Sequence, residues 1–298
     1  MSLALEESFG SCKQAVEKFR FPLKFPTATT MSEARDGKMA APLLGRNLKE
    51  KLQRGQTVFG TFIQFTVNPA IVDILPEGVL DFVIVTAEHN ALELAEFLPL
   101  KYALAAKGIA CLARTHSRDP DDVSRVCDTF DGVVVPYVED AEHARRLAAA
   151  AIYRPLKGLA LERVLRDGVW PDEKSRKYII EDRCQNTVFV PMIESLAGVE
   201  NLETICGIPG VHAIFVGPND LTTTMGIPNE YDHPDLISIL KRIIDVADRS
   251  HIPAGCWFGK SEQMRRTIGQ GSRFVVYSND GAFLRESIEN SFTALRIR

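Results

Sequence analysis

The chain has 298 residues, of which 45% are hydrophobic and 25% charged, and its net charge is −4. That is enough for one large or two ordinary domains around a substantial core. The charge balance carries no footprint for nucleic acid or an acidic membrane surface, and no apolar stretch approaches the roughly 20 residues of a membrane span.

Residues 1–45 read as an N-terminal extension. Leu5, Phe9, Cys12, Val16 and Phe19 follow a helical spacing, and "FPLKFPTATT" then breaks the pattern with two prolines and a polar tail, as a linker does. Residues 46–298 are assigned to a single α/β domain. From residue 57 the chain alternates short apolar runs with helical segments. The runs are "TVFGTFIQF", "LDFVIVTAE", "GIACLART", "DGVVVPYV", "NTVFVPMIE", "VHAIFVGP", "IPAGCWF" and "SRFVVYSND". They are apolar on both faces, which suits parallel strands covered on both sides. The intervals open near Asp or Pro and carry apolar residues at helical spacing, as capped surface helices do.

Eight such units predict a (β/α)8 TIM barrel, with a doubly wound sheet as the alternative. No strand end carries G-x-G-x-x-G, which disfavours a dinucleotide-binding sheet. "GLALERV" at 158–164 is ambiguous between a ninth strand and part of a long rim loop. The six cysteines (12, 111, 127, 184, 206 and 256) are scattered without C-x-x-C pairs. They read as buried free thiols, and with no signal-peptide pattern the expected location is cytoplasmic.

In a barrel, the residues that follow the strands make the active-site face. The second run ends in Glu88 and His89, the third in Arg114, the fifth in Glu194, and the sixth in Asn219 and Asp220. Glu194 and Asp220, on neighbouring strand ends with no cysteine nearby, suit a hard divalent cation such as Mg²⁺ or Mn²⁺, with Co²⁺ a further candidate. Arg114 offers a permanently charged fork for a carboxylate or enolate oxygen. His89 is a natural proton shuttle near neutral pH. Structural alternatives exist for each: Glu194 pairing with a nearby Lys or Arg, Asp220 capping the helix that follows it.

"PMIESLAGVENLETICGIPGVHAIFVGPNDLTTTMG" resembles the central signature of the HpcH/HpaI aldolase family, metal-dependent class II pyruvate aldolases related to macrophomate synthase. The resemblance runs from about Gly60 to the C-terminus. It implies that Glu194 and Asp220 hold the metal, His89 moves the proton, Arg114 stabilises the enolate, and Asp128 orients the histidine. It also implies that the main chain around Asn219 binds the substrate carboxylate, with Met192 facing substrate where the family usually has glutamine. A hexamer that exchanges its last helix is implied too. Thr86 stands where the family has aspartate. The resulting expectation is a divalent-metal carbon–carbon lyase acting on 4-hydroxy-2-oxo acids through a pyruvate enolate. Oxaloacetate decarboxylation, a macrophomate-synthase-like biosynthetic reaction and an inactive metal- and oxo-acid-binding homologue are the alternatives. The expected partners are a small 2-oxo acid and further copies of the chain, with no nucleic acid and no membrane.

Overall fold

The computed structural model describes residues 43–86, 88 and 91–296. Eight parallel strands close into a barrel in sequence order: β1 Val58–Ile63, β2 Phe82–Thr86, β3 Ala110–Arg114, β4 Gly132–Val135, β5 Val188–Ile193, β6 Ile214–Val216, β7 Ala254–Phe258 and β8 Phe274–Asn279. Pairing of β1 with β8 completes the ring, so the doubly wound alternative is excluded. Each apolar run of the sequence contains one strand.

The strands are apolar on both faces because both faces are covered. Along β2 every residue is buried, with Phe82 and Ile84 inside the barrel and Val83 and Val85 against the surrounding helices. This is the period-2 alternation of a strand serving two cores. The interior is filled by large side chains, Phe82 stacking on Phe274 at 4.6 Å between ring centroids. Burying each such side chain contributes about 1.5–3 kcal/mol, so the barrel is a packed core rather than a channel.

Before β1, the helix Leu44–Gln53 closes the end of the barrel where the strands begin. Leu44, Leu48 and Leu52, four residues apart on one face, join the interior cluster. A Cβ on Gly45 would fall 1.9 Å from the Asn186 carbonyl oxygen, so only glycine permits this approach. The boundary expected at residue 46 falls inside this helix. The helix expected around residues 5–19 lies outside the described residues.

The helical intervals appear as Pro120–Cys127, Ala141–Ile152, Pro234–Arg249 and Asp280–Arg296. The first two are capped by the side chains of Asp119 and Asp140, which accept from Asp121 N–H and His143 N–H. "GLALERV" is neither strand nor loop: Gly158–Asp167 is a helix, stopped by Gly168 in the left-handed conformation (φ 67°). Among the described residues no helix is long and apolar enough to cross a membrane. The five described cysteines are buried and free, and burial pushes the thiols of Cys127, Cys206 and Cys256 up to about 12, which keeps them protonated and unreactive. Cys12 lies outside the described residues.

Candidate active site

Strand register brings the polar strand ends together. Thr86 and Arg114 are paired across β2 and β3. Ile193 pairs with Val216 across β5 and β6, so Glu194 and Gly217 follow side by side. Asp220 comes next, in the first turn of the helix Pro218–Thr224. A cavity of about 200 Å³ opens here, lined by Arg114, Glu194, Asn219 and Asp220 with Phe62, Gln64, Met192, Phe215, Trp257 and Asn279.

Glu194 is 3% exposed. Its Oε2 accepts the main-chain N–H of Tyr137 at 3.0 Å. Burial pushes its carboxyl up to about 8; the Tyr137 N–H and Arg114 oppose the shift, while Asp220 and Glu88 add repulsion. No basic side chain forms an ion pair with Glu194 among the described residues, and Gly217, not Asp220, is the N-cap of the Pro218–Thr224 helix. Neither the ion pair expected as Glu194's alternative role nor the N-cap expected as Asp220's is seen among the described residues.

Space around Glu194 is equally restricted. A Cβ on Gly217 would lie 2.2 Å from Glu194 Oε1 and 2.8 Å from its Cδ. Glycine at 217 is needed for that side chain to lie where it does.

Arg114 is 9% exposed. Its Nε reaches Glu88 Oε2 at 2.9 Å and the Thr86 hydroxyl at 3.0 Å. The same hydroxyl accepts Glu88 N–H at 3.1 Å. The guanidinium also lies over the Phe62 ring, 5.2 Å from its centroid, within cation–π range. Burial lowers the Arg114 pKa, and Glu88, Glu194 and Asp220 resist that shift in decreasing order. Thr86, wholly buried, thus acts as an acceptor that pins the arginine.

A divalent cation fits this donor set. Glu194 and Asp220 are both hard oxygen donors, and Asp220 adds its repulsion to the burial that pushes the Glu194 carboxyl up to about 8. Among the described residues no third His, Cys, Asp or Glu completes a cluster of metal-binding geometry. Two carboxylates therefore leave coordination positions for water and a chelating ligand.

The remaining predicted residues fall as follows. Met192 is buried in the cavity wall. The Asn219 side chain accepts from the Tyr231 hydroxyl at 2.5 Å, and its carbonyl accepts from Thr222 and Thr223 hydroxyls. His89 lies outside the described residues. Asp128 is not brought to this rim: it caps the far end of Pro120–Cys127 and pairs with Arg154 at 2.9 Å and Arg183 at 2.7 Å. A helix that follows a strand returns the chain to the barrel end where the strands begin, so a residue at its C-terminus sits opposite the site. Reading the sequence for charged residues missed Tyr137, Gln64, Trp257 and Asn279. For Tyr137 the one signal was its position, two residues beyond β4.

A second cavity, about 840 Å³ and larger, lies between the loop after β1 and the C-terminal helix. It is apolar, and its one carboxylate, Asp280, accepts the N–H groups of Gln64, Phe65 and Thr66. The charged side chains that follow the strands line the smaller cavity instead.

The model of the HpcH/HpaI aldolase/citrate lyase family matches residues 60–287. The chain is 27% identical over 252 residues to a 5-keto-4-deoxy-D-glucarate aldolase of Shigella boydii, covering 83% of this chain and 95% of the relative. It is 30% identical over 249 residues to a hydroxypyruvate/pyruvate aldolase of Chromohalobacter salexigens, covering 82% and 95%. The crystal structure of an HpcH/HpaI aldolase from Desulfitobacterium hafniense superposes with a TM-score of 0.72 at 27% identity, over 84% of this chain and 97% of that one. Macrophomate synthase shares the fold, with a TM-score of 0.67 at 21% identity over 89% and 96% of the two chains.

Proposed function

The chain belongs to the HpcH/HpaI aldolase/citrate lyase family, and from that premise we propose that it is a divalent-cation-dependent carbon–carbon lyase cleaving or forming 4-hydroxy-2-oxo acids through a pyruvate enolate. The observation that carries this reading is the juxtaposition of Glu194 and Asp220 on adjacent strand ends, beside a buried Arg114, in a cavity sized for a small acid. The relatives named as aldolases of sugar-derived and pyruvate-type oxo acids support the same substrate class.

Glu194 and Asp220 would hold the cation, Mg²⁺ or Mn²⁺ with Co²⁺ a further candidate. Once bound, it supplies Lewis-acid polarisation of the 2-oxo group. Arg114, kept in place by Thr86 and Glu88, faces the oxygen on which enolate charge develops and stabilises it electrostatically. The N–H groups at the start of Pro218–Thr224 lack intrahelical acceptors, so the main chain around Asn219 serves the substrate carboxylate. Met192 gives that chamber an apolar wall. His89 takes the proton from the C4 hydroxyl as the C3–C4 bond breaks and the aldehyde leaves; protonation at C3 then yields pyruvate. Asp128 can support that histidine only if a neighbouring copy presents its own strand-start end to this rim.

An assembly of copies is part of the proposal. The helix Asp280–Arg296 buries none of its residues, leaving Leu284, Ile288 and Phe292 at least half exposed beside the apolar cavity. Such a stripe in contact with water calls for a covering surface, and a homo-oligomer, hexameric in the family pattern, supplies one.

The test is pyruvate release from 4-hydroxy-2-oxo acids by chain stripped with chelator and reloaded with Mg²⁺ or Mn²⁺. Metal-dependent release supports the lyase. Turnover of oxaloacetate alone would make it a decarboxylase, and Mn²⁺ binding without turnover of any 2-oxo acid would make it a binding homologue.

A further inference from the structure

The end of β8 carries an irregularity that sends one polar side chain into the small cavity. Gly60 pairs with Val276 and Phe62 with Asn279, two steps along β1 against three along β8, so β8 holds one extra residue there. Val276 belongs to the barrel interior, and Val275 and Tyr277 to the outer layer. Strict alternation would therefore turn Asn279 outward. The extra residue reverses that, as a β-bulge does. Asn279 takes the interior side with its partner Phe62, and both line the cavity. Buried Ser278 absorbs the distortion at φ 58°, in the left-handed region, where a residue other than glycine is strained. The Trp257 indole N–H fixes its carbonyl at 3.0 Å. The strain is kept at the step that re-aims a single side chain.

Gln64 reaches the same wall from the neighbouring strand end. Phe62 and Gln64 line the small cavity while Ile63 and Phe65 line the large apolar one, so the alternation of β1 continues past its end. Asp280 holds this turn. Its Oδ1 accepts Gln64 N–H at 3.2 Å, and its Oδ2 accepts Phe65 and Thr66 N–H at 3.0 and 3.1 Å. Asn279 also opens the helix Asp280–Arg296, its Oδ1 accepting Ala282 N–H at 2.8 Å. That bond assigns the amide oxygen and leaves the NH2 group without an acceptor among the described residues. A cap needs only an oxygen, which serine supplies equally well.

The eight strands close in order, so β1 lies four strands from β5, across the barrel mouth from Glu194. A small 2-oxo acid whose oxygens turn toward Glu194, Asp220 and Arg114 would present its reacting carbon, and the aldehyde beside it, to the wall made by β1 and β8. We propose that Asn279 and Gln64 form the subsite for that aldehyde and select one carrying a hydroxyl. The proposal rests on the reading of the cavity as a carbon–carbon lyase site. Its volume of about 200 Å³ lies below the roughly 300–1,000 Å³ of pockets for drug-sized ligands, so the aldehyde is a short one. Both amide residues are partly exposed, and a hydrogen bond between such groups is worth about 3- to 10-fold in selectivity.

The experiment compares glyceraldehyde with propanal, its counterpart without hydroxyls, for wild type, Asn279→Ser and Gln64→Ala of the full-length chain. Asn279→Ser keeps a capping oxygen and removes the amide. Gln64→Ala leaves the main-chain N–H to Asp280, so it remains informative if the first variant folds poorly. One readout is kcat/KM for condensation of each aldehyde with pyruvate in Mn²⁺. The other is the dissociation constant of each aldehyde by saturation-transfer NMR in Mg²⁺ and oxalate, which takes the place of pyruvate without reacting. Wild type is expected to favour glyceraldehyde in both, and each variant to lower that preference about 3- to 10-fold. A wild-type preference retained by both variants is what a merely structural cap and turn predict, and it overturns the proposal. Equal treatment of the two aldehydes by wild type overturns it as well. Where wild type gives no Mn²⁺-dependent exchange of the pyruvate C3 hydrogens in deuterium oxide, the lyase reading fails instead, and the proposal with it.

Discussion

Replacing Glu194 by glutamine should stabilise the metal-free chain while abolishing its chemistry, and the gain should grow with pH. The carboxyl is pushed from 4.5 to about 8, chiefly by burial. A folded-state pKa above the unfolded one means that the folded chain binds the proton more tightly. Stability is therefore full below about pH 4.5 and falls as pH rises toward 8, where the buried group must finally ionise. At about 1.4 kcal/mol per pKa unit, the penalty is roughly 1 kcal/mol at pH 5.5, 3 at pH 7 and 5 above pH 8. For a chain of this size 1 kcal/mol moves the melting temperature by about 2–4 °C or less. Glu194→Gln keeps the shape, can still accept the Tyr137 N–H, and never ionises. Differential scanning fluorimetry in chelator should therefore show a gap that is small at pH 5, widens to several degrees by pH 7 and levels above pH 8. Adding Mn²⁺ should close the gap from the wild-type side by stabilising only the chain that keeps its carboxylate. A gap that stays flat from pH 5 to 9 would refute the claim that Glu194 is held protonated by its surroundings.

Three further substitutions probe the same architecture. Gly217→Ala has an accessible backbone (φ −90°, ψ 96°), but its Cβ would collide with Glu194 Oε1; turnover should fall about 100-fold with little loss of folding, and a Gly217→Ala enzyme that keeps the wild-type kcat would show that Glu194 need not sit there. Thr86→Val keeps the β-branched shape and removes the hydroxyl that takes Arg114 Nε and Glu88 N–H. Loss of a hydrogen bond to a charged group predicts a drop of about 10-fold in kcat/KM, measurable by a coupled pyruvate assay. Phe292→Asp places a charge on the exposed stripe of the C-terminal helix; light scattering coupled to size exclusion should report a smaller assembly with an unchanged circular dichroism spectrum.

The barrel was legible because its physics is periodic. Runs such as "FVIVT" are apolar at consecutive positions, which only a strand covered on both faces needs, and eight of them recur with capped helices between. "GLALERV" was not legible as a helix because Leu159 and Leu161 alternate at its start and seven residues are too few to fix a period; the helix shows when Arg166, Asp167 and the stopping Gly168 are included. Glu194, Asp220 and Arg114 were visible as charges placed where an apolar strand ends. Asp128 was assigned by resemblance alone, and a single chain holds it at the opposite end with Arg154 and Arg183. Tyr137 went unseen because what it offers Glu194 is a main-chain N–H, which residue type does not reveal.

The charge balance at the rim explains why a divalent ion suits it better than another basic side chain. Glu88, Glu194 and Asp220 surround one guanidinium. Arg114 Nε is engaged by Glu88 at 2.9 Å and by Thr86, so that pair is close to neutral and the guanidinium is pinned rather than free to follow either of the other acids. Glu194 and Asp220 then have no ion-pair partner of their own among the described residues, and burial together with Asp220 pushes the Glu194 carboxyl up to about 8. A monovalent ion would leave one negative charge in a buried place, where charging is costly. A second arginine would neutralise one acid but fill the 200 Å³ cavity that substrate needs. A doubly charged ion held by Glu194 and Asp220 would neutralise both carboxylates and leave coordination positions for substrate. For the 2-oxo acid proposed as substrate, the remaining unbalanced feature of such a site would be the face of Arg114 not taken by Thr86 and Glu88. On this argument affinity for substrate depends on the cation having bound first, and equilibrium binding of pyruvate or oxalate to the chelated chain should be at least about 10-fold weaker than to the Mn²⁺ form, the factor expected of about 1.4 kcal/mol of coupling. Equal binding to both forms would break the argument at that step.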